Sequence, residues 1–308
     1  IKRSLLQFLC RLPIPEIACL CSHVVLRMSH DLSVQAINEG LQEKGFDVHC
    51  ERTAQKGRIL VADRSFQQGE EILSAKPLHS ISEHPRNPMY ERLNQICSES
   101  RHVFTEEPIW YFAALCSLTA AQIVNRYRNV CEHIVATSEV QQKLLMLHHP
   151  DVMTEPHEAF SILVEEFADP VTVTPRLLES LMNVFWFNSF GSSVRLDVYW
   201  LPSLISHSCH PIAFVRCDDT TNVMKVRALC AIAGGDEITI SYLSGLELKL
   251  PAKERRSLLE DAKHFYCSCH RCRSEEKQGS KSRARIRRVR RDQIKSLAQK
   301  FLAVSTLP

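Results

Sequence analysis

The chain has 308 residues, of which 44% are hydrophobic and 24% are charged, and its formal net charge is +3. This composition is typical of a globular protein with one large domain or two smaller ones, and the net charge is too small to indicate nucleic-acid binding by itself. Thirteen cysteines without a signal-peptide pattern favour a reducing compartment, in which thiols bind metal or stay free. No apolar run approaches the ~18 residues of a membrane helix. Because the first residue is Ile1 rather than methionine, we expect the sequence to be a fragment.

Residues 1–49 are interpreted as an N-terminal extension. An apolar, cysteine-containing stretch is followed by Val34, Ile37 and Leu41 at helical spacing, with Ser33 as a candidate N-cap. The pattern predicts a short helix, and the segment carries no recognisable chemistry.

Two glycine turns, each leading into an apolar run, occupy residues 56–62 and 67–73. Short apolar and β-branched runs bounded by glycine are typical of strands. The pattern therefore predicts that these two segments form a β-hairpin.

Residues 105–182 carry apolar side chains at roughly helical spacing, and prolines separate the successive runs. The pattern predicts several helices of about ten to fifteen residues each, which we interpret as a mainly structural insert. Three histidines in this region, His148, His149 and His157, match no usual metal-binding spacing, and we expect them to be exposed.

A second hairpin is predicted by residues 213–217 and 223–232, which flank the polar turn at 218–222. A glycine turn at 234–237 then leads into a predicted strand with Tyr242 at its end. Since a tyrosine in this position is most often half-buried packing, the residues alone do not identify Tyr242 as catalytic.

Three thiols lie within six residues, at Cys267, Cys269 and Cys272, after a charged helical pattern over residues 252–264. A tetrahedral zinc site needs four ligands, so this spacing requires a fourth from elsewhere. Cys209, in a turn before a proline, is the best candidate. The alternatives are ordinary free cysteines and, less favoured, a disulfide, because nothing else indicates an oxidising compartment.

The composition changes again at residues 276–308, where a dense basic run spans 281–291. Such a run is often a solvated tail, but it can also serve as a nuclear import signal or as a contact for acidic partners or nucleic acid. Apolar residues at helical spacing through this run favour a basic amphipathic helix.

Three segments carry a family resemblance: residues 206–211 (SHSCHP), 235–242 (GDEITISY) and 265–272 (FYCSCHRC). In this order and spacing they resemble the catalytic half of SET-domain protein lysine methyltransferases, of the split-SET type found in the SET-and-MYND proteins. The resemblance implies an α+β fold: a SET-type β fold of short strands with a helical insert and a zinc-binding post-SET segment. Residues 81–110 contain one cysteine, Cys97, so we expect the zinc-binding MYND module to be absent.

The resemblance also implies domain boundaries. The SET domain is expected at residues 50–245, with its helical insert at about 81–182. The post-SET zinc segment is expected at 246–275, and residues 276–308 would be a basic tail or the start of a helical domain.

The family's functional residues are matched position by position. Tyr242 stands at the catalytic tyrosine and would line the lysine channel together with Phe190. The ligands of a structural zinc ion would be Cys209, Cys267, Cys269 and Cys272. The residues that match contacts to the cofactor S-adenosylmethionine are Lys56, Arg58, Asn188, Ser206, His207 and Phe265.

The activity implied by this resemblance is transfer of a methyl group from S-adenosylmethionine to a lysine of a histone or other protein, in the nucleus or cytoplasm and without a membrane partner. The alternative is a zinc-stabilised SET-fold scaffold with little methyl transfer. Ser206 and Ile212 replace two family asparagines, and Ile59 replaces a glycine, which favours the alternative. A third hypothesis, nucleic-acid binding through residues 281–291, predicts strongly salt-dependent affinity.

Overall fold

The structure is a computed structural model that describes residues 34–150, 155–192, 194–218 and 220–278. The first part of the predicted N-terminal extension and the basic run at 281–291 lie outside the described residues. The chain divides into two compact units. The first comprises residues up to Ser206 together with Ile212–Thr239, and the second comprises His207–Pro211 together with the residues from Ile240 onward.

Short strands in the described part of the chain form three small sheets, with the strand orders β1-β2-β10-β7, β3-β9-β8 and β4-β6-β5. The strands are β1 (Val48–Thr53), β2 (Gly57–Ala62), β3 (Glu71–Ala75), β4 (His79–Ser82), β5 (Ser189–Ser192), β6 (Arg195–Val198), β7 (Ser206–His207), β8 (Ala213–Cys217), β9 (Met224–Ala228) and β10 (Glu237–Ile240).

The central strand of the first sheet is β2, which has a partner on each side. It runs antiparallel to β1, with Leu60 opposite Cys50, and antiparallel to β10, with Leu60 opposite Ile238. Residues 59–62 are all buried, as expected of a continuous apolar run in a fully covered strand.

The predicted hairpin between residues 56–62 and 67–73 is wrong. The second of these segments forms β3, which pairs with β9 in a different sheet, with Glu71 opposite Arg227. A bridge between Phe66 and Ile232 holds the connecting segment. The apolar pattern showed where these two strands are but not how they pair: β2 pairs with the adjacent β1 and with the distant β10, and β3 pairs with the distant β9.

The second predicted hairpin is confirmed. Strands β8 and β9 pair antiparallel, with Val215 opposite Val226. In the turn, an oxygen of the Asp218 carboxylate accepts hydrogen bonds from the backbone N–H groups of Thr220 and Thr221, at 3.0 and 2.9 Å, a local contact that aspartate commonly makes in turns.

The helical pattern over residues 105–182 is also confirmed, and helices occupy most of residues 88–188. The α-helices of the described part are α1 (residues 34–43), α2 (Pro88–Glu99), α3 (Pro108–Cys116), α4 (Asn125–Cys131), α5 (Ser138–Met146), α6 (Glu158–Phe167), α7 (Pro175–Asn188), α8 (Ala252–Lys263) and α9 (residues 270–278).

Helix starts follow the usual capping chemistry. The side chain of Asn87 accepts a hydrogen bond from the Met89 N–H at 2.9 Å, and that of Thr174 accepts one from the Leu177 N–H at 3.2 Å. Both helices then place proline in the first turn, where a missing N–H has no cost.

Helix α3 is the centre of the helical region. Residues 111–116 are all buried, as is Ile109, which is typical of a helix that is apolar on all sides. The Phe112 ring packs edge-on against Tyr90, with the ring centroids 4.7 Å apart. This rigid core fixes the position of α7, which packs on α3 and ends at Asn188.

The second unit has a small core built around α8. Leu243, Ala252 and Leu259 pack with buried cysteines of the same unit. Helix α8 ends at His264, whose φ of 55° is left-handed and turns the chain toward Cys267. No helix in the described ranges is long and apolar enough to span a membrane.

Candidate functional site

Four cysteines meet in the second unit. The sulfur atoms of Cys209, Cys267, Cys269 and Cys272 all lie within 4.8 Å of one another. Cys209 Sγ is 3.8 Å from Cys267 Sγ and 3.5 Å from Cys272 Sγ. A tetrahedral zinc ion with Zn–S bonds of about 2.3 Å requires sulfur–sulfur separations of about 3.8 Å. The four predicted metal ligands therefore lie together and can hold one metal ion.

Because the thiols of this cluster lie close together, the pKa values of Cys209 and Cys269 differ from one another. Hydrogen bonds from Cys209 and Cys267 lower the pKa of Cys269. Hydrogen bonding with Cys267 and Cys269, together with burial, raises the pKa of Cys209. Further thiolates beside the first are disfavoured unless a cation shares the site, so full ionisation of the cluster requires a positive charge.

A buried arginine lies beside the cluster. Arg255 of α8 is fully buried, and its Nη2 donates to Cys272 Sγ and to Glu275 Oε1, each at 3.2 Å. Burial opposes the charge of Arg255, but hydrogen bonds to Cys209, Cys272 and Glu275 outweigh it and raise the pKa of the guanidinium. The cluster thus has a permanent positive neighbour.

Two further arginines fix the backbone that carries the thiols. Arg256 Nε donates to the carbonyl of Cys267 at 2.9 Å, and Arg271 Nη1 donates to the carbonyl of Cys209 at 3.1 Å. The first contact joins α8 to the segment just after it, and the second joins residues 62 positions apart in sequence, so both help to hold the thiols together.

His207 connects the cysteine cluster to the segment after β10 that carries Tyr242. Its Nδ1 accepts a hydrogen bond from the backbone N–H of Tyr242 at 3.0 Å. In the neutral ring the proton must then sit on Nε2, which lies 3.3 Å from Cys209 Sγ. A single tautomer thus satisfies both neighbours, and the ring orientation of the buried His207 is fixed.

The same histidine belongs to an aromatic cluster. The His207 ring centroid lies 5.3 Å from that of Tyr242 and 5.8 Å from that of Phe265, and the Tyr242 and Phe265 rings meet edge-on at 6.2 Å. Tyr242 is 40% exposed. Three residues that the sequence assigned to the site therefore lie together, with Tyr242 open to solvent.

The first unit contains a polar arrangement around Glu237. Lys56 Nζ lies 2.7 and 2.6 Å from the two carboxylate oxygens of Glu237, and the hydroxyl of Ser206 donates to the same carboxylate. Lys56 and Ser206, both predicted as cofactor contacts, are thus held by one acidic side chain.

The other predicted site residues of the first unit make separate contacts. Arg58 Nη2 donates to the carbonyl of Met146, and burial lowers the pKa of Arg58. The Nδ2 of Asn188 donates to the carbonyls of His148 and Val184, each at 2.7 Å.

Phe190 lies on β5, and its ring packs edge-on against Tyr199 with centroids 5.8 Å apart. It therefore belongs to a small hydrophobic cluster formed by Tyr199, Ala75 and Met224. Its predicted place in the lysine channel stays a prediction.

Sequence reasoning missed two residues, Glu237 and Arg255. The first was taken only as part of a glycine turn, and the second only as part of a charged helix. A signal existed for Arg255, since an arginine on a helix just before three metal-ligating cysteines is placed to neutralise them. No signal in the sequence showed that Glu237 faces Lys56, because 181 residues separate them.

The SET-domain family model matches residues 57–243, more than half of the chain, so the chain belongs to the SET-domain family. The resemblance inferred from the three motifs is confirmed, and so is the α+β fold class. The chain is 24% identical over 266 residues to the histone-lysine N-methyltransferase ASHR1 of Arabidopsis thaliana, covering 71% of this chain and 53% of ASHR1. It is 32% identical over 136 residues to the histone-lysine N-methyltransferase SMYD3 of Homo sapiens, covering 41% and 29% of the two chains.

Among solved structures, the chain is similar to the crystal structure of the SET domain of LSMT bound to lysine and AdoHcy. The TM-score is 0.42 at 16% identity, over 77% of this chain and 58% of that one. The chain thus spans about half the length of ASHR1 and less than a third of SMYD3.

Proposed function

We propose that the chain is a protein lysine methyltransferase that uses S-adenosylmethionine. The observation that carries this proposal is the fixed position of Tyr242: His207 holds its backbone N–H, and Phe265 packs edge-on against its ring. Membership of the SET-domain family and the names of ASHR1 and SMYD3 support the same reaction. A lysine of a histone or another protein is the proposed substrate, and the nucleus or cytoplasm the proposed location.

The main chemical task is to obtain a neutral amine. A free lysine side chain has a pKa of about 10.4, so nearly all of it is charged at neutral pH. The aromatic side chain of Tyr242 would exclude water from the amine and disfavour the ammonium form, which lowers the pKa of the substrate lysine. No strong base is then required.

Positioning would supply the remaining acceleration. S-adenosylmethionine, when bound, supplies the electrophilic methyl group. The Tyr242 hydroxyl would orient the amine by hydrogen bonding, and correct alignment of reacting groups can contribute several kcal/mol. Among the predicted cofactor contacts, Phe265 offers an aromatic face to the adenine, while Lys56 and Ser206 offer a cation and a hydroxyl.

We also propose that the metal held by the four cysteines is zinc with a structural role. Four thiolates are a common ligand set of structural zinc, and four protein ligands leave no open position for catalysis. The ion would hold Cys267 against Cys209 and so keep Phe265, two residues earlier, beside His207.

Arg255 is expected to support this zinc site. Replacing Arg255 with methionine keeps much of the side-chain volume but removes the donor to Cys272, and loss of such a supporting contact typically weakens metal affinity about 10- to 100-fold. The measurement is competition with a chromophoric zinc chelator. The matched control is Arg273→Met, since Arg273 is exposed on the same segment. The zinc affinity of this variant should equal that of the unchanged protein. Equal zinc affinity in both variants would contradict this assignment.

Binding of S-adenosylmethionine to the zinc-loaded protein tests the proposed function. We expect micromolar affinity by calorimetry, and a loss of about tenfold or more in Phe265→Ala, because stacking of a base on an aromatic ring contributes ~1–3 kcal/mol. Phe214→Ala is the control, since Phe214 is a partly exposed phenylalanine of the first unit. If the folded, zinc-containing protein does not bind S-adenosylmethionine, the proposed methyltransferase activity is excluded.

One observation favours the scaffold as a second candidate. Polar groups predicted to contact the cofactor are engaged within the protein: Ser206 and Lys56 by Glu237, Arg58 by Met146. If these contacts persist in solution, the protein would keep zinc and its fold without binding S-adenosylmethionine. The calorimetric experiment separates the two candidates directly.

A further inference from the structure

A cationic pocket lies in the first unit, and its described lining includes none of the residues predicted to bind the cofactor. It has a volume of about 520 Å³ and is formed by the end of β3 and the segment that joins it to β4, by Trp200 and by Val223 just before β9. Three lysines from separate elements line it: Lys44 after α1, Lys76 after β3 and Lys143 in α5.

The charged side chains that line this pocket are all positive among the residues that the structure describes. Lys143 pairs with Glu139 at 2.6 Å, whereas Lys44 and Lys76 form no ion pair within the described ranges and are exposed. Like charges that converge on a concavity raise the local potential and attract anions.

The walls of the pocket are apolar. Ala75, Pro77, Leu78 and Val223 contribute aliphatic surface, and Trp200 contributes a half-buried indole. A ligand that matches both features must carry negative charge and an apolar group. An inorganic anion satisfies only the first requirement.

The spread of the donors favours several carboxylates over one compact phosphate. Arginine, lysine and helix N-termini all bind phosphate, so the type of donor does not decide between the two anions. The cations here are lysines, which act as point charges on flexible stems, and they come from three separate segments. Three separate ammonium groups suit several carboxylates along an extended chain.

The pocket also adjoins the hydrophobic cluster of the first unit on which Phe190, a predicted channel residue, packs. Ala75 lines the pocket and packs with Tyr199 and Met224, and Phe190 packs on this cluster. A peptide seated in the pocket would therefore rest on the same cluster as Phe190.

We propose that this pocket binds an acidic segment of the protein substrate, with Asp or Glu carboxylates on Lys44, Lys76 and Lys143 and an apolar side chain against Trp200. This assignment rests on the proposed function, and it gives the enzyme a preference for substrates that carry acidic residues near the target lysine.

The test is fluorescence anisotropy with a labelled twelve-residue peptide that alternates glutamate with leucine. The double variant Lys44→Glu, Lys76→Glu is expected to bind it at least about tenfold more weakly than the unchanged protein, because each reversal replaces attraction with repulsion. The control, Lys253→Glu with Lys277→Glu, changes the net charge equally at exposed positions of the second unit, and its affinity should stay within about twofold, since distant surface charges are screened by salt.

Two further arms identify the ligand chemistry. Trp200→Ala should weaken the glutamate–leucine peptide but not a glutamate–serine peptide, because only the first has an apolar group for the indole. Millimolar inorganic phosphate should not compete. Equal loss in both charge-reversed variants, or full competition by phosphate, would overturn the proposal.

Calorimetry with S-adenosylmethionine on the same proteins separates this proposal from the proposed function. A protein that binds S-adenosylmethionine but shows no pocket-dependent peptide binding refutes the pocket alone. A protein that binds the peptide through the pocket but not S-adenosylmethionine refutes the enzyme and leaves a binding site on a scaffold.

Discussion

Replacement of Cys272 with serine is expected to abolish zinc retention. Binding of structural zinc contributes an apparent ~10–16 kcal/mol to the folding free energy of small zinc-dependent domains. A site with only three thiols loses much of this contribution. Cys272 lies within hydrogen-bonding distance of Cys209 and accepts from Arg255, so its loss also leaves a buried guanidinium without that partner. The expected result is a fall from about one zinc ion per chain to near zero after dialysis, measured by elemental analysis.

The second unit should lose its structure along with the metal. Its core consists of a few aliphatic side chains around the cysteines, too little apolar area to support an independent fold. Limited proteolysis should therefore cut within residues 240–278 in Cys272→Ser while the first unit stays protected. Cys230→Ser is the matched control, because Cys230 is an exposed free cysteine outside the cluster. A Cys272→Ser protein that keeps one equivalent of zinc would contradict the assigned ligand set.

Removal of the Tyr242 hydroxyl should abolish most of the activity without disturbing the fold. Tyr242→Phe keeps the ring that contacts His207 and Phe265 and keeps the backbone N–H that binds His207. Only the group that would orient the substrate amine is lost. Loss of one positioned donor at an active site typically lowers kcat about 100- to 1000-fold, and we expect a decrease in this range.

The readout is transfer of a radioactive methyl group to a protein substrate, together with zinc content, melting temperature and affinity for S-adenosylmethionine. The last three should match the unchanged protein. Tyr266→Phe is the control, because the exposed Tyr266 contacts Arg256 through its ring face, which phenylalanine preserves. Undiminished methyl transfer by Tyr242→Phe would show that the Tyr242 hydroxyl has no role in catalysis.

Local patterns in the sequence were enough to predict the elements of the site. Three closely spaced thiols predicted a metal site, and the turn before Pro211 made Cys209 the best candidate for the fourth ligand; the four sulfur atoms lie within 4.8 Å of one another. The strand that leads to Tyr242 followed from β-branched alternation, and the helix before the cysteines from its charged periodicity. These features depend on neighbouring residues, which is why a single sequence shows them.

Long-range pairing could not be predicted in the same way. The segments that became β2 and β3 were correctly predicted as strands, but each pairs with a strand more than 150 residues away. The same limit hid the contact of Glu237 with Lys56, which are 181 residues apart. Such contacts depend on the tertiary fold of the whole chain, and the hydrophobic periodicity of a strand does not identify the strand that pairs with it.

The position of Cys209 in the sequence determines when, during synthesis, the four cysteines can come together. The chain leaves the second unit at Pro211 and returns at Ile240, and 58 residues separate Cys209 from Cys267. Closing a loop of this length costs about 3–4 kcal/mol of chain entropy before any contact compensates it. A nascent chain that has emerged only to Ile240 therefore carries one of the four cysteines proposed to bind zinc. The proposed ligand set is complete only after Cys272 has left the ribosome, and a truncation just before that residue would release a polypeptide with three of the four ligands.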